Sequence, residues 1–373
     1  MSFKCEVCDT KIDDSPRLDL VECPHCQNTV PTGNEKKIRR MQEAYKNSLR
    51  WPKAAAGRAI AYAAAIYAYS THGTAIDYQG IEDKIRKKYG DDSAAHIRHR
   101  TVESGRSGAG VVDERVGLIM FTVSGTMGVA EVPWRLMYVI FRGSRGSEAE
   151  SEDNPEGAGW GKTETGEMRN VDWRSNFNTA QVTPSWSTDV KVHKGFNEIY
   201  SSVRHLVHQH VNAAIQTHPN TQVITTGHSL GAGLATLCAH DLQSSGVCHP
   251  FCFPFCSPRA GDLAFARDFN FQIAHRYGLL LGEPGGGGAY HRCFVFVQSN
   301  DPVSWGGEHG FEHDMSAKSA KKVADSGNIA KQGLYAMLKK KSPSTIYYHV
   351  GNLYRASYFG LHSFEKMEKE ILG

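Results

Sequence analysis

The chain has no long apolar run. Its most apolar stretch, Ala54–Tyr69, is interrupted by Arg58 and falls short of the roughly 18 uncharged residues that suggest a membrane-spanning helix. Met1–Asp13 is polar and carries a CxxC, with none of the apolar core of a secretory signal. A cytoplasmic, reducing setting is therefore the default expectation, and export without a cleaved signal stays open. A large charge of one sign is missing too. Lys and Arg number 42 against 39 Asp and Glu, a net charge of +3, which is too mild to argue for nucleic acid as a partner. No repeat of solenoid period is visible. Gly161-Lys162-Thr163 looks like the end of a phosphate-binding loop, but Glu156 stands where a glycine is needed and no strand precedes it. Nucleotide binding is discarded on that ground, and Gly285–Gly288 reads as a loop tip.

What is present is ordinary globular material: 40% hydrophobic and 22% charged residues over 373 positions. At roughly 100–200 residues per domain that length suggests two or three units, or one large domain with an appendage. The nine cysteines support the appendage. Cys5, Cys8, Cys23 and Cys26 crowd the first 26 residues, whereas Cys238, Cys248, Cys252, Cys256 and Cys293 are scattered through the second half. Two CxxC pairs at this separation match the ligand pattern of a small zinc ribbon, in which four thiolates close a tetrahedral shell. So short a segment cannot build an apolar core, and the metal would have to supply its folding energy. Cys23-Pro24-His25-Cys26 taken alone also fits a redox dithiol, but that motif wants a preceding strand in a βαβ unit.

Beyond the polar linker Pro31–Ser48, the pattern alternates strands and helices. Val116–Val123, Arg135–Phe141, Gln222–Thr226, Phe251–Phe255 and Cys293–Gln298 read as strands. Trp51–Ser70, His193–Val211 and Leu230–Leu242 read as helices, and Asp77–Arg115 as a charged, turn-rich connection. Such alternation predicts an α/β fold with a mostly parallel sheet covered on both faces. Two segments stand out by charge: Ser147–Met168 has seven acidic residues against one lysine, and Ser316–Lys341 has seven lysines against one aspartate. The plain reading of both is solvated surface.

The chemistry concentrates at Gly227-His228-Ser229-Leu230-Gly231. This G-x-S-x-G follows a strand and opens a helix rich in small residues, the context that a nucleophile elbow requires. Glycines two residues to either side let the backbones pack, and the Leu230 N–H at the helix start can donate to a developing oxyanion. A serine nucleophile needs a base and an orienting carboxylate, which in this chain order come after it. Asp301, directly after an apolar strand, is the favoured acid over Asp262, Asp268 and Asp314. Downstream of it, His309, His313, His349 and His362 are not separated by periodicity.

Seven blocks, in order, carry a resemblance. They are Tyr138–Ser144 (YVIFRGS), Asn170-Val171-Asp172-Trp173 with Asn176, Val192–Phe196 (VHKGF), the elbow Thr226–Ala235, Phe255–Asp262 (FCSPRAGD), Asn300–Val303 (NDPV) and Tyr348–Gly351 (YHVG). From about Trp51 onward the chain resembles the class 3 lipase family of fungal-type triacylglycerol lipases. The resemblance implies an α/β-hydrolase fold over 51–373; the cysteine spacing and the polar stretch after it add a zinc ribbon at 1–32, with Cys5, Cys8, Cys23 and Cys26 as ligands, and a linker and helix at 33–50. It also implies Ser229 as nucleophile, Asp301 as triad acid, His362 as base with His349 as the alternative, and Ser144 beside Leu230 as oxyanion donor. The implied activity is hydrolysis of lipid carboxyl esters, triacylglycerol or phospholipid, with zinc only in the ribbon and none needed for catalysis. Where relatives carry a short apolar lid, this chain has the acidic, Gly-rich stretch Gly146–Arg169. Two rival readings stay open. One is a signal-less phospholipase effector that meets anionic membranes through Ser316–Lys341; the other is an idle hydrolase-fold binding protein whose ribbon docks a protein partner.

Overall fold

The computed structural model describes residues 2–4, 10–13, 20–25, 29–31, 50–72, 76–89, 96–98, 117–127, 132–144, 180–275, 293–298, 350 and 352–356. Four short strands come first: β1 (Ser2–Lys4), β2 (Lys11–Asp13), β3 (Leu20–Glu22) and β4 (Thr29–Pro31). They form two separate antiparallel hairpins, β1 with β2 and β3 with β4. After them come α1 (Arg50–His72), α2 (Tyr78–Tyr89), β5 (His96–Arg98), β6 (Leu118–Met127) and β7 (Val132–Phe141). A two-residue pair, β8 (Gln181–Val182) and β9 (Val192–His193), leads into α3 (Lys194–Thr217) and β10 (Gln222–His228). The remainder is α4 (Leu230–Ser244), β11 (Phe251–Phe255), α5 (Leu263–Phe269) with a π-helical turn at Asn270–His275, β12 (Phe294–Gln298) and β13 (Asn352–Ala356).

Among the described residues, seven strands make one mixed sheet in the order β13-β12-β11-β10-β7-β6-β5. β7 and β10 to β13 run parallel, while β5 and β6 join antiparallel at one edge. Alternation along the strands divides the core into two. Leu118, Met120, Met137, Val139, Phe141 and Val223 point to one face and pack under α3 and α4. Ile119, Phe121, Val123, Leu136, Tyr138, Ile140 and Ile224 point to the other, under α1 and α2. Burial on both faces explains why the central strands read as unbroken apolar runs. Among the described residues no helix is long and apolar enough to cross a membrane.

The region read as a turn-rich connection, Asp77–Arg115, is different in the structure: it contains α2 and β5. Asp77 caps α2 by accepting from the Gly80 N–H at 2.9 Å. Tyr78, Ile81 and Ile85 form its apolar stripe toward α1. Its charge misleads because Glu82 is turned inward, where it accepts from Arg58 Nε at 2.9 and 3.1 Å and from Tyr62 Oη at 3.0 Å. A buried carboxylate is tolerable only with such partners.

A second buried carboxylate ties α3 to α4. Asp241 accepts from Tyr200 Oη at 2.7 Å, Arg204 Nε and Nη2 at 2.9 Å each, His208 Nε2 at 2.7 Å and Ser245 Oγ at 2.8 Å. Burial pushes its pKa up, but the hydrogen bonds from His208, Arg204 and Tyr200 outweigh that and hold it at about 2. An unfolded aspartate titrates near 3.9, at about the reference value. The stabilisation is thus complete above that value and is lost as pH falls through the folded one. Urea unfolding followed from pH 6 down to pH 2 should show stability declining below about pH 4, with a shallower decline in Asp241→Asn. Parallel pH profiles for the two proteins would contradict this role.

Candidate active site

The strand-to-helix elbow at Ser229 is built by backbone contact. β10 lies between β7 and β11, with Gly227 paired to Phe141 on one side and to Pro254 on the other. The strand ends at His228, and Ser229 turns sharply, at φ 58 and ψ −126, into the first turn of α4. That positive φ is uncommon for a residue with a side chain and marks strain stored in the turn. The turn fits because two residues have no Cβ. A Cβ on Gly231 would stand 2.2 Å from the Phe141 carbonyl oxygen and 2.7 Å from the Arg142 carbonyl carbon. One on Gly227 would stand 2.4 Å from the Gly231 carbonyl and 2.6 Å from the Phe141 oxygen.

The same contact brings the Phe141–Ser144 segment against the elbow. Arg142, Gly143 and Ser144 leave the carboxyl end of β7 and are all buried, as are Ser229 and Leu230. The Ser229 N–H is already committed, donating to the Phe255 carbonyl at 3.0 Å. Leu230 is the first residue of α4, and first-turn amides have no intrahelical acceptor. A helix N-terminus also carries partial positive charge. The arrangement thus offers an amide suited to a transient negative oxygen beside Ser229, with the Phe141–Arg142 backbone packed on the same turn.

The neighbouring blocks support the elbow from below. His193 caps α3, its Nδ1 accepting from the Phe196 N–H at 3.3 Å, and its ring stacks on Phe196 at 3.9 Å. Phe196 in turn lies under Gly233, where an added Cβ would be 2.9 Å from its ring. The role of His193 was not anticipated from the sequence; a histidine three residues ahead of a buried phenylalanine at a helix start is the signal that could have found it.

Two competing acids are occupied elsewhere. Asp262 caps α5, its Oδ1 accepting from the Phe265 N–H at 2.8 Å and the Lys191 N–H at 3.2 Å. Asp268 pairs with His240 Nε2 at 2.7 Å, which holds its carboxyl below the usual range, and accepts from Gln272. His240 Nδ1 accepts from Trp186 Nε1 at 3.0 Å, so both nitrogens of its ring are engaged. This His–Asp pair lies eleven residues along α4 from Ser229, roughly 16 Å away at the helical rise, and is a packing element.

Of the residues singled out from the sequence, Ser229 and Leu230 adjoin in the strand-to-helix turn, and Ser144 is buried two residues beyond the Arg142 carbonyl that packs on Gly231. Asp301, His349, His362, Cys5, Cys8 and Cys26 lie outside the described residues, as do Gly146–Arg169 and Ser316–Lys341. Among the described residues Cys23, Cys238, Cys252, Cys256 and Cys293 are buried and Cys248 is half-buried.

Residues 163–304 match the class 3 lipase family. The match holds the elbow and Asp301 and stops short of His362. A secreted mono- and diacylglycerol lipase of Malassezia restricta is 35% identical over 100 residues, 26% of this chain and 33% of that protein. A secreted mono- and diacylglycerol lipase of Fusarium solani is 34% identical over 112 residues, 30% of this chain and 33% of its own length. A phospholipase A1 of Oryza sativa subsp. indica is 31% identical over 127 residues, 28% and 32% of the two chains. The chain thus spans about a third of the length of the relatives it matches. Among solved structures, the triacylglyceride lipase of Rhizomucor miehei aligns with a TM-score of 0.39 at 22% identity, over 65% of this chain and 71% of that one.

Because the Gly231 contact is backbone to backbone, no side chain can move aside. Gly231→Ala should lower unfolding free energy by about 1–3 kcal/mol or more, as overpacking does. Gly246→Ala, where only the left-handed backbone (φ 68) resists and no atom lies within 4 Å, should cost about 1 kcal/mol. Denaturant titrations giving Gly231→Ala the milder effect would contradict the elbow packing.

Proposed function

We propose that the chain is a serine carboxyl-ester hydrolase that cleaves lipid esters, triacylglycerol or phospholipid, through an acyl-enzyme. The observation that carries the reading is Ser229 at positive φ between β10 and α4, next to a first-turn amide and flanked by Gly227 and Gly231, which pack against the Phe141–Arg142 backbone. In this reading the Ser229 hydroxyl attacks the ester carbonyl while His362 takes its proton. Asp301 fixes the imidazole tautomer and stabilises the imidazolium. The Leu230 and Ser144 N–H groups hold the oxyanion, and each such donor is typically worth about 3 kcal/mol in the transition state. His362 then protonates the leaving alcohol, and water releases the acyl group.

Strand polarity supports the choice of base. β11, β12 and β13 run parallel to β10, so their carboxyl ends lie on the edge where Ser229 sits. Asp301 comes three residues after the end of β12, and His362 six residues after the end of β13. His349 instead precedes β13 in sequence by three residues, and the strand that separates the two histidines is roughly 16 Å long. The engagement of Asp262 and Asp268 in capping and pairing favours Asp301 as the acid.

For the N-terminal segment we assign zinc to Cys5, Cys8, Cys23 and Cys26. The two hairpins support it: Cys5 and Cys8 fall between β1 and β2, and Cys23 and Cys26 between β3 and β4, one CxxC per hairpin turn. Paired turns of this kind can present four thiolates to one tetrahedral ion.

Hydrolysis of short-chain esters, long-chain esters and phospholipid by the protein and by Ser229→Ala tests the function. The expected result is turnover of at least one substrate and a loss of at least about a thousandfold in the variant. Undiminished turnover by Ser229→Ala would remove the mechanism.

A further inference from the structure

The β3–β4 turn touches the hydrolase body. Cys23 is fully buried there, and the carbonyl of His25 accepts two hydrogen bonds from Arg267 in the last turn of α5, from Nε at 2.8 Å and from Nη2. Arg267 and His25 are 242 residues apart in sequence. A guanidinium that spends two N–H groups on one backbone oxygen makes a charge-assisted, directional contact, and the oxygen must be held in place to receive it.

The next residue faces the opposite way. Asp268 accepts from His240 Nε2 of α4 and from Gln272, and His240 is fixed on its other nitrogen by Trp186. At its start, α5 is tied through Asp262 to Lys191, just ahead of β9. Consecutive residues Arg267 and Asp268 therefore bridge the cysteine turn to α4, the helix that begins at Leu230 beside the nucleophile.

We propose that zinc loading of the N-terminal cysteine turns is coupled to the hydrolase body through the Arg267–His25 contact, so that the metal module is a clamp on α5 and α4 and not a tethered appendage. This rests on the assignment of zinc to the four cysteines. A CxxC turn has no core of its own, so its backbone is fixed when the ion closes it, and that fixation presents the His25 carbonyl to Arg267. Linkage makes the effect reciprocal. If the docked arrangement favours the loaded turn, then breaking the dock weakens zinc by the same factor by which zinc strengthens the dock.

The test uses the full chain. Zinc content, zinc transfer to a competing chelator and amide hydrogen exchange are measured for the wild type, Arg267→Ala and Arg267→Lys. Expected are one zinc per wild-type chain and about tenfold weaker retention in Arg267→Ala, with Arg267→Lys between them because it keeps the charge and loses the two-donor fork. Chelation of the wild type should raise exchange across 263–275 while β7 and β10 stay protected, and chelated Arg267→Ala should show no further rise. Wild-type zinc retention in Arg267→Ala, or exchange at 263–275 that ignores chelation, would overturn the coupling and leave the zinc assignment standing. A wild type without stoichiometric zinc would overturn the assignment, and the coupling with it.

Discussion

The Phe141 carbonyl occupies the space that a side chain at position 231 would need, and the site is arranged around that contact. β7 and β10 are adjacent parallel strands, so the segments leaving their carboxyl ends emerge at one edge. α4 can start directly against the end of β7 only because Gly227 and Gly231 leave the backbones free to touch. Fitting the helix there forces Ser229 into left-handed backbone, at a cost on the order of 1–3 kcal/mol. Burial of α4 between the sheet and α3 offsets it: every residue from Leu230 to Gln243 is buried. The Ser229 amide is then used on β11, and the Leu230 amide follows it in the first turn of α4.

Polar groups fix the helices that apolar packing alone would leave free to slide. Asp241 joins α3 to α4, the His240–Asp268 pair joins α4 to α5, and Arg58–Glu82 joins α1 to α2. Each carboxylate is matched by several donors, as the burial of Asp241 and Glu82 requires. Two of these joints grip the helix that opens just after Ser229, so the elbow is braced at its far end as well as by β7. This bracing suits a site in which displacements on the order of 1 Å can cost about a hundredfold in rate.

Much of this is readable in the sequence, for physical reasons that differ by element. Strands buried on both faces show as apolar runs, so β7 and β10 are evident, and small residues after Gly227 mark the strand-to-helix turn. α2 is hidden because its charges conceal a stripe of three apolar residues, and because Glu82 is a core residue only by virtue of Arg58 in another helix. Nothing local reveals a pairing across 24 positions. The choice between His349 and His362 is likewise beyond periodicity. His349 precedes β13 in sequence and His362 follows it, and sheet direction is a property that the residues themselves do not encode. The contact from Arg267 to His25 spans most of the chain and has no sequence signature at all.

Covalent trapping is the most direct measurement. The full chain is treated with a fluorophosphonate, which phosphonylates an activated serine, and the adduct is located by peptide mass spectrometry. A single adduct on Ser229, formed in step with the loss of ester hydrolysis, is the result predicted for a nucleophile activated at this elbow. Hydrolysis that persists with Ser229 unmodified, or an adduct on a different serine, would contradict it.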